Sequence, residues 1–234
     1  MTRREVAKLI DNTLLKPTAT RAEVVRFCEQ SLECHFAAVC VFPFWVPLAA
    51  EILGESDVKI CAPIGFPFGM NATAIKVMEA RNVISQGARE IDVVINLGAL
   101  RSGEESAALR DLEEVVRAVK LSGVTENGDE PITKAILETC YLTDDEKRLA
   151  CQLAVKAGVG FVKTSTGFGP AGATVDDVRL LRRLVGKEVG VKAAGGIRNW
   201  EQAQALINAG ATRLGTSCGI QILEQVPGRD PEGL

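Results

Sequence analysis

Short apolar runs alternate with amphipathic stretches along the whole chain. The runs are IDNTL (10–14), AAVCVF (37–42), VKICAPI (58–64), IDVVINL (91–97), ITKAILE (132–138), FVKTS (161–165), VGVKAA (189–194) and TRLGTS (212–217). Most are β-branched and continuous, the pattern of parallel strands covered on both faces. A helical stretch follows each one. Helix starts carry the capping-box pairs Thr20–Glu23, Thr143–Glu146 and, with Asp in the fourth place, Thr174–Asp177; Asn199 with Gln202 repeats the device. Helix ends carry glycine in SQGA (85–88), KAGV (156–159) and NAGA (208–211), where chains leave a helix most easily. Eight such alternations predict a single (β/α)8 TIM barrel over residues 1–224, in preference to an open doubly wound sheet. No GxGxxG follows the first run, which weighs against a dinucleotide site. SGVTENGDEP (122–131) reads as a solvated connection, and QVPGRDPEGL (225–234) as a disordered C-terminal tail.

Composition narrows the function classes. The chain has 27 Lys plus Arg against 30 Asp plus Glu, a formal net charge of −3, so it lacks the basic excess that nucleic-acid binding requires. No 18-residue apolar run exists to span a membrane. The opening MTRREVAKLIDNTLLKP has charge and no apolar segment, so it is not expected to be a secretory signal. The seven cysteines are odd in number and have no CxxC spacing, which predicts reduced core thiols in a cytoplasmic protein. His35 is the single histidine and has no ligand-spaced partners, so no metal site is expected and His35 is read as structural.

Charge inside runs that should be buried is the informative anomaly. Asp11 lies in the first run, Asp92 in the fourth, Lys134 and Glu138 in the fifth, Lys163 in the sixth and Lys192 in the seventh. An unpaired buried charge costs several kcal/mol. Buried ion pairs, or lysines reaching out from strand ends, would explain any one of them. Three strand lysines with two or three carboxylates, and no histidine in any strand, point instead to chemistry at the C-terminal mouth of the barrel. An amine in a dry pocket beside a second cation has its charged form disfavoured, and the neutral amine attacks carbonyls to form a Schiff base. Lys163 and Lys192 would divide that work, with Asp92 moving protons directly or through water.

Glycines follow the late strands in KTSTGFGPAG (163–172), AAGGIRN (193–199) and LGTSCG (214–219). Backbone amides at such turns approach anions closely, and the loops after strands 7 and 8 form the usual barrel phosphate site. With the hydroxyls of Thr216 and Ser217, they predict a small phosphorylated substrate. GFGPAG also reads as a plain turn before the Thr174 cap. A carboxylate-based isomerase on the same barrel, or a silent phosphosugar-binding protein, would share these loops.

These motifs, IDNTLLKP, AAVCVFP, EIDVVIN, KAILET, FVKTSTGFG and VKAAGGIR in this order, resemble the deoxyribose-phosphate aldolase family over roughly residues 6–222. The resemblance implies reversible cleavage of 2-deoxy-D-ribose 5-phosphate to D-glyceraldehyde 3-phosphate and acetaldehyde, without metal or other cofactor, in deoxyribose phosphate catabolism. It assigns the Schiff base to Lys163, the neighbouring cation to Lys192 and the acid/base carboxylate to Asp92, with Lys134 and Asp11 supporting them. Gly167, Gly195, Gly196, Gly215, Thr216 and Ser217 fall on phosphate-loop positions. Relatives imply a homodimer or homotetramer. Cys40 matches a family cysteine near the pocket and reads equally well as a core thiol. Two departures stand out: Asn12 replaces the histidine of an Asp-His-Thr motif, and Tyr141 is the single tyrosine, so no tyrosine is available at the C-terminus.

Overall fold

Eight parallel strands pair in chain order, and the eighth returns to the first to close a barrel. The computed structural model describes residues 1–122 and 130–227. The predicted connection at 122–131 and tail at 225–234 therefore lie mostly outside the described residues. The strands are β1 (Ile10–Leu14), β2 (Ala38–Val41), β3 (Lys59–Ile64), β4 (Glu90–Val94), β5 (Ile132–Ile136), β6 (Phe161–Lys163), β7 (Gly190–Ala194) and β8 (Arg213–Thr216). The helices are α1 (Arg3–Ala7), α2 (Arg21–Glu33), α3 (Val46–Leu53), α4 (Thr73–Ser85), α5 (Leu97–Arg101), α6 (Glu105–Ser122), α7 (Asp144–Ala157), α8 (Val175–Val185), α9 (Trp200–Asn208) and α10 (Gly219–Gln225). The (β/α)8 barrel expected from the runs is the observed fold. Among the described residues no helix is long and apolar enough to cross a membrane.

Local chemistry sets the helix boundaries. Thr20 and Thr143 each accept from the backbone N–H three residues on, while Glu23 and Glu146 return the bond. Thr174 and Asn199 make the forward half of that exchange. A capping box at Thr2 and Glu5 starts α1, a short helix before β1 that the run pattern does not reveal. Gly158 ends α7 with φ of 80°, a conformation open to glycine at little cost.

Strand periodicity puts charge inside the barrel. Ile91 and Val93 of β4 join the apolar layer between sheet and helices, as do Val162 of β6, Val191 and Ala193 of β7, and Leu214 of β8. Residues alternate between the faces of a strand, so Glu90, Asp92, Lys163, Lys192 and Arg213 point to the interior. Near its N-terminal end the interior is filled by Phe161, with the Arg213 guanidinium 5.3 Å from the ring centroid. Gly190 makes room there, since a Cβ would meet the Phe161 ring at 2.2 Å.

A second buried ion pair lies outside the barrel. Lys76 of α4 donates to Asp111 of α6 at 2.6 Å and to the Val94 carbonyl at 2.9 Å, and Thr73 donates to the other oxygen of Asp111. Burial lowers the Lys76 pKa from its usual value, with Asp111 opposing. The pair ties the outer helices to the end of the strand that carries Asp92. His35 lies just past α2 with φ of 51°, its Nδ1 3.1 Å from Asp57, which also accepts from Lys8.

Candidate active site

Asp92 is the hub of the interior. One carboxylate oxygen accepts from Lys163 and Lys192 at 2.7 Å each, and the other accepts from Lys134 at 2.9 Å and the Cys61 thiol at 3.1 Å. Strand register produces this convergence: Asp92 pairs with Lys134 across β4 and β5, and Lys163 with Lys192 across β6 and β7. Asp11 faces Lys192 at 2.5 Å and Lys134 at 3.4 Å, and accepts from Arg213. Glu90 pairs with Lys134 at 2.6 Å and with Arg213 at 3.0 Å. Five of the six charges read in the strand runs, Asp11, Asp92, Lys134, Lys163 and Lys192, therefore form one connected cluster, and Glu138 stands apart from it.

Glu90 and Arg213 belong to that cluster and were not among the expected residues. Glu90 stands just before the apolar run that announced β4, and Arg213 opens β8. A count of every charge within one residue of each run would have found both.

Burial opposes the charge on Asp92, but Lys134, Lys163 and Lys192 outweigh it and hold the carboxyl well below the usual carboxylate range. Asp11 is depressed in the same way: burial opposes its charge, and Lys192, Lys134 and Arg213 outweigh it. Burial likewise works against the Lys192 ammonium, yet Asp11 and Asp92 raise its pKa above the ordinary lysine value. Lys134 is raised well above that value against its burial, by Asp92 foremost. Lys192 and Lys134 are thus fixed cations. Four basic groups, Lys134, Lys163, Lys192 and Arg213, face three carboxylates, Asp11, Glu90 and Asp92, leaving one positive charge in excess when all are ionised.

The cluster opens at its upper edge onto a cavity of about 410 Å³. Among the described residues Lys163 is the cluster member that lines it; Asp92, Lys192, Lys134 and Asp11 lie fully buried behind. Gly167, Gly195, Gly196, Gly215, Thr216 and Ser217 all line the same cavity. Gly195 and Gly196 have φ of 88° and 81°, so two successive residues there need the left-handed region. Gly215 also gives passage to Lys192, whose Cε would lie 3.1 Å from an added Cβ. The Thr216 hydroxyl is engaged in bracing its loop: it donates to the Ile197 carbonyl at 2.6 Å and accepts from the Cys218 amide. Ser217 is exposed to the cavity. Lys16 and Arg198 add two cations to the rim; Arg198 closes the quoted VKAAGGIR motif, where Lys192 and the glycines drew attention and Arg198 did not.

Asn12 faces away from this chemistry. Its amide donates to Ser31 of α2 at 3.0 Å, and its oxygen lies against Gly219 of α10. The position that departs from Asp-His-Thr therefore sits between barrel and helices. Cys40 pairs in register with Cys61 in the interior and is fully buried. A hydrogen bond with Cys61 lowers the Cys40 thiol against its burial, while burial raises Cys61 well above the usual thiol range. Cys40, Cys61 and Asp92 bring potential ligand atoms within 4.8 Å of one another, a grouping the spacing of the cysteines does not announce. Asp92 already accepts from three ammonium groups, whose positive charge disfavours a metal ion there.

A family model described as DeoC/LacD family aldolase matches residues 6–225. A deoxyribose-phosphate aldolase of Caldanaerobacter subterraneus subsp. tengcongensis is 51% identical over 94% of this chain and 93% of its own length. One of Thermococcus gammatolerans is 52% identical over 94% and 96%. Among solved structures, an aldolase named QR15 superposes with a TM-score of 0.86 at 42% identity, covering 94% of each chain. A tetrameric deoxyribose phosphate aldolase from Aeropyrum pernix gives 0.87 at 32% identity, covering 95% of this chain and 91% of that one. The chain is an enzyme of the DeoC/LacD aldolase family, to which the deoxyribose-phosphate aldolases among its relatives also belong.

Proposed function

We propose that this enzyme reversibly cleaves 2-deoxy-D-ribose 5-phosphate to D-glyceraldehyde 3-phosphate and acetaldehyde through a Schiff base on Lys163. The observation that carries this reading is the position of Lys163, on the floor of the cavity, sharing one carboxylate oxygen with the fixed cation Lys192. The excess positive charge of the cluster is relieved when one amine sheds its proton, and Lys163 is the amine that meets the cavity.

The substrate phosphate would lie against Gly167, Gly195, Gly196, Gly215 and Ser217, with the Thr216 loop as their brace and the open-chain aldehyde carbon at Lys163. The amine adds, water leaves, and a protonated imine forms as an electron sink. Asp92, held as a carboxylate between three lysines, takes the proton of the C3 hydroxyl through a water. The C2–C3 bond breaks, its electrons pass into the imine, and glyceraldehyde 3-phosphate departs. The resulting enamine is protonated at carbon, and hydrolysis returns the amine and frees acetaldehyde. Lys134 and Asp11 keep the hub ionised and in place. The reaction would serve deoxyribose phosphate catabolism. Seven free cysteines support a reducing, cytoplasmic setting, and the tetrameric Aeropyrum pernix relative supports a homodimer or homotetramer.

A coupled assay for glyceraldehyde 3-phosphate tests the reaction. Borohydride with acetaldehyde should abolish that activity, whereas a carboxylate-based isomerase would survive it. Ser217→Asp tests the phosphate placement. A carboxylate set in the anion site is expected to raise KM for the phosphorylated substrate by roughly tenfold or more and to leave unphosphorylated 2-deoxyribose nearly unchanged. Equal losses on both would contradict the placement.

A further inference from the structure

Glu138 is a buried carboxylate that this mechanism does not use. It is 2% exposed, follows β5, and has a backbone φ of 52°, in the left-handed region that side-chain-bearing residues rarely enter. No cation pairs with it among the described residues. Its carboxylate accepts instead from the Thr166 amide, at 3.2 and 3.3 Å for its two oxygens, and from the Thr166 hydroxyl. The backbone on either side is bound to the same segment: the Leu137 amide donates to the Lys163 carbonyl, and Thr139 to that of Thr164, at 2.9 Å each. Gly169 packs on the far side, where a Cβ would lie 3.3 Å from the Glu138 carboxyl carbon.

The consequence is a choice among amides. Glu138 occupies the Thr166 amide directly. By accepting a hydrogen bond from the Thr166 hydroxyl, it also orients that oxygen to accept from the Phe168 amide at 3.0 Å. Gly167 stands between them with φ of 88° and lines the cavity, and its amide has no partner among the described residues.

We propose that Glu138 is a positioning residue that selects the Gly167 amide for the substrate phosphate by engaging the amides on either side. This rests on the reading that the phosphate occupies the glycine loops. A strained backbone and a desolvated carboxylate are costs that fold stability alone does not require, and both fall where one N–H must be aimed at an anion.

The test compares Glu138→Gly, which relieves the backbone and removes the carboxylate, with Glu138→Gln, which keeps the shape and one accepting oxygen. Glu138→Gly is expected to raise KM for deoxyribose 5-phosphate about tenfold with kcat changed much less, and to leave kcat/KM for unphosphorylated 2-deoxyribose within about threefold. Glu138→Gln should fall between Glu138→Gly and the parent. In a Thr166→Val background the Glu138→Gly effect should shrink without vanishing, because the hydroxyl route to the Phe168 amide is lost while Glu138 still engages the amide of residue 166. A purely structural residue would damage both substrates alike. A residue acting only through its negative charge would give a lower KM for the phosphate ester in Glu138→Gln. Either result, or an unchanged KM in both variants, overturns the proposal. Ser217→Asp separates the two readings. If it weakens the phosphorylated substrate selectively while Glu138→Gly does not, the positioning role alone fails. If Ser217→Asp weakens both substrates equally, the phosphate placement fails and the positioning role falls with it.

Discussion

Replacement of Lys192 by leucine is expected to lower kcat/KM by about 10²–10³-fold at neutral pH, with the protein still folded. Lys192 is fully buried, bridges Asp11 and Asp92, and is held charged by them. Removing it leaves three basic groups facing three carboxylates. The balanced cluster then has no excess charge to relieve, and Asp92 turns more fully to the ammonium of Lys163. The loss should fall mainly on kcat, with KM for deoxyribose 5-phosphate changed much less, because Lys192 lies fully buried behind the cavity and does not line it. Lys192→Arg keeps the charge while crowding the passage beside Gly215, and should retain more of the parental kcat than Lys192→Leu. A Lys192→Leu enzyme with parental turnover would show that the second cation has no part in the work of the first.

The largest effect on stability is expected at Asp111→Asn. Lys76 is fully buried, and its ammonium finds charge compensation in Asp111, which is 2% exposed. Breaking a buried pair from one side costs about 3–5 kcal/mol, which in a domain of this size lowers Tm by roughly 6–20 °C. The sign of the pH dependence follows from the direction of the Lys76 shift. A lysine whose pKa is lower folded than unfolded loses its proton first in the folded state, so stability rises with pH between the two values. The deficit of Asp111→Asn should therefore shrink as pH rises toward about 10, as read by thermal or denaturant unfolding. Lys76→Met combined with Asp111→Leu should recover most of the loss, because two apolar side chains leave no charge stranded. A deficit below about 1 kcal/mol that ignores pH would contradict this account of the pair.

Much of the architecture is legible in the sequence because β-branched runs and capping residues act locally. Thr20 and Thr143 mark helix starts with the two bonds their spacing implies. The strand charges are legible for a related reason: period two puts Asp92, Lys134, Lys163 and Lys192 on the interior face whatever the neighbouring strand does. Boundaries are less so. IDVVINL continues past Val94 into α5, because Ile95 is a core residue and Leu97 packs half-buried against the core beyond the strand. Lys76 and Asp111 were silent because their meeting depends on how α4 and α6 pack, a contact between residues far apart in sequence. Glu138 was visible as a charge in a run, but its left-handed turn and its grip on Thr166 belong to tertiary structure. Thr216 looked like a phosphate ligand by position, whereas its hydroxyl is engaged by Ile197 and Cys218.

The most direct measurement is borohydride trapping of the enzyme with acetaldehyde, followed by peptide mass mapping of every lysine. The account predicts one reduced two-carbon adduct, on Lys163, with Lys192 and Lys134 unmodified. An adduct on another lysine, or an active enzyme that forms none, would contradict it.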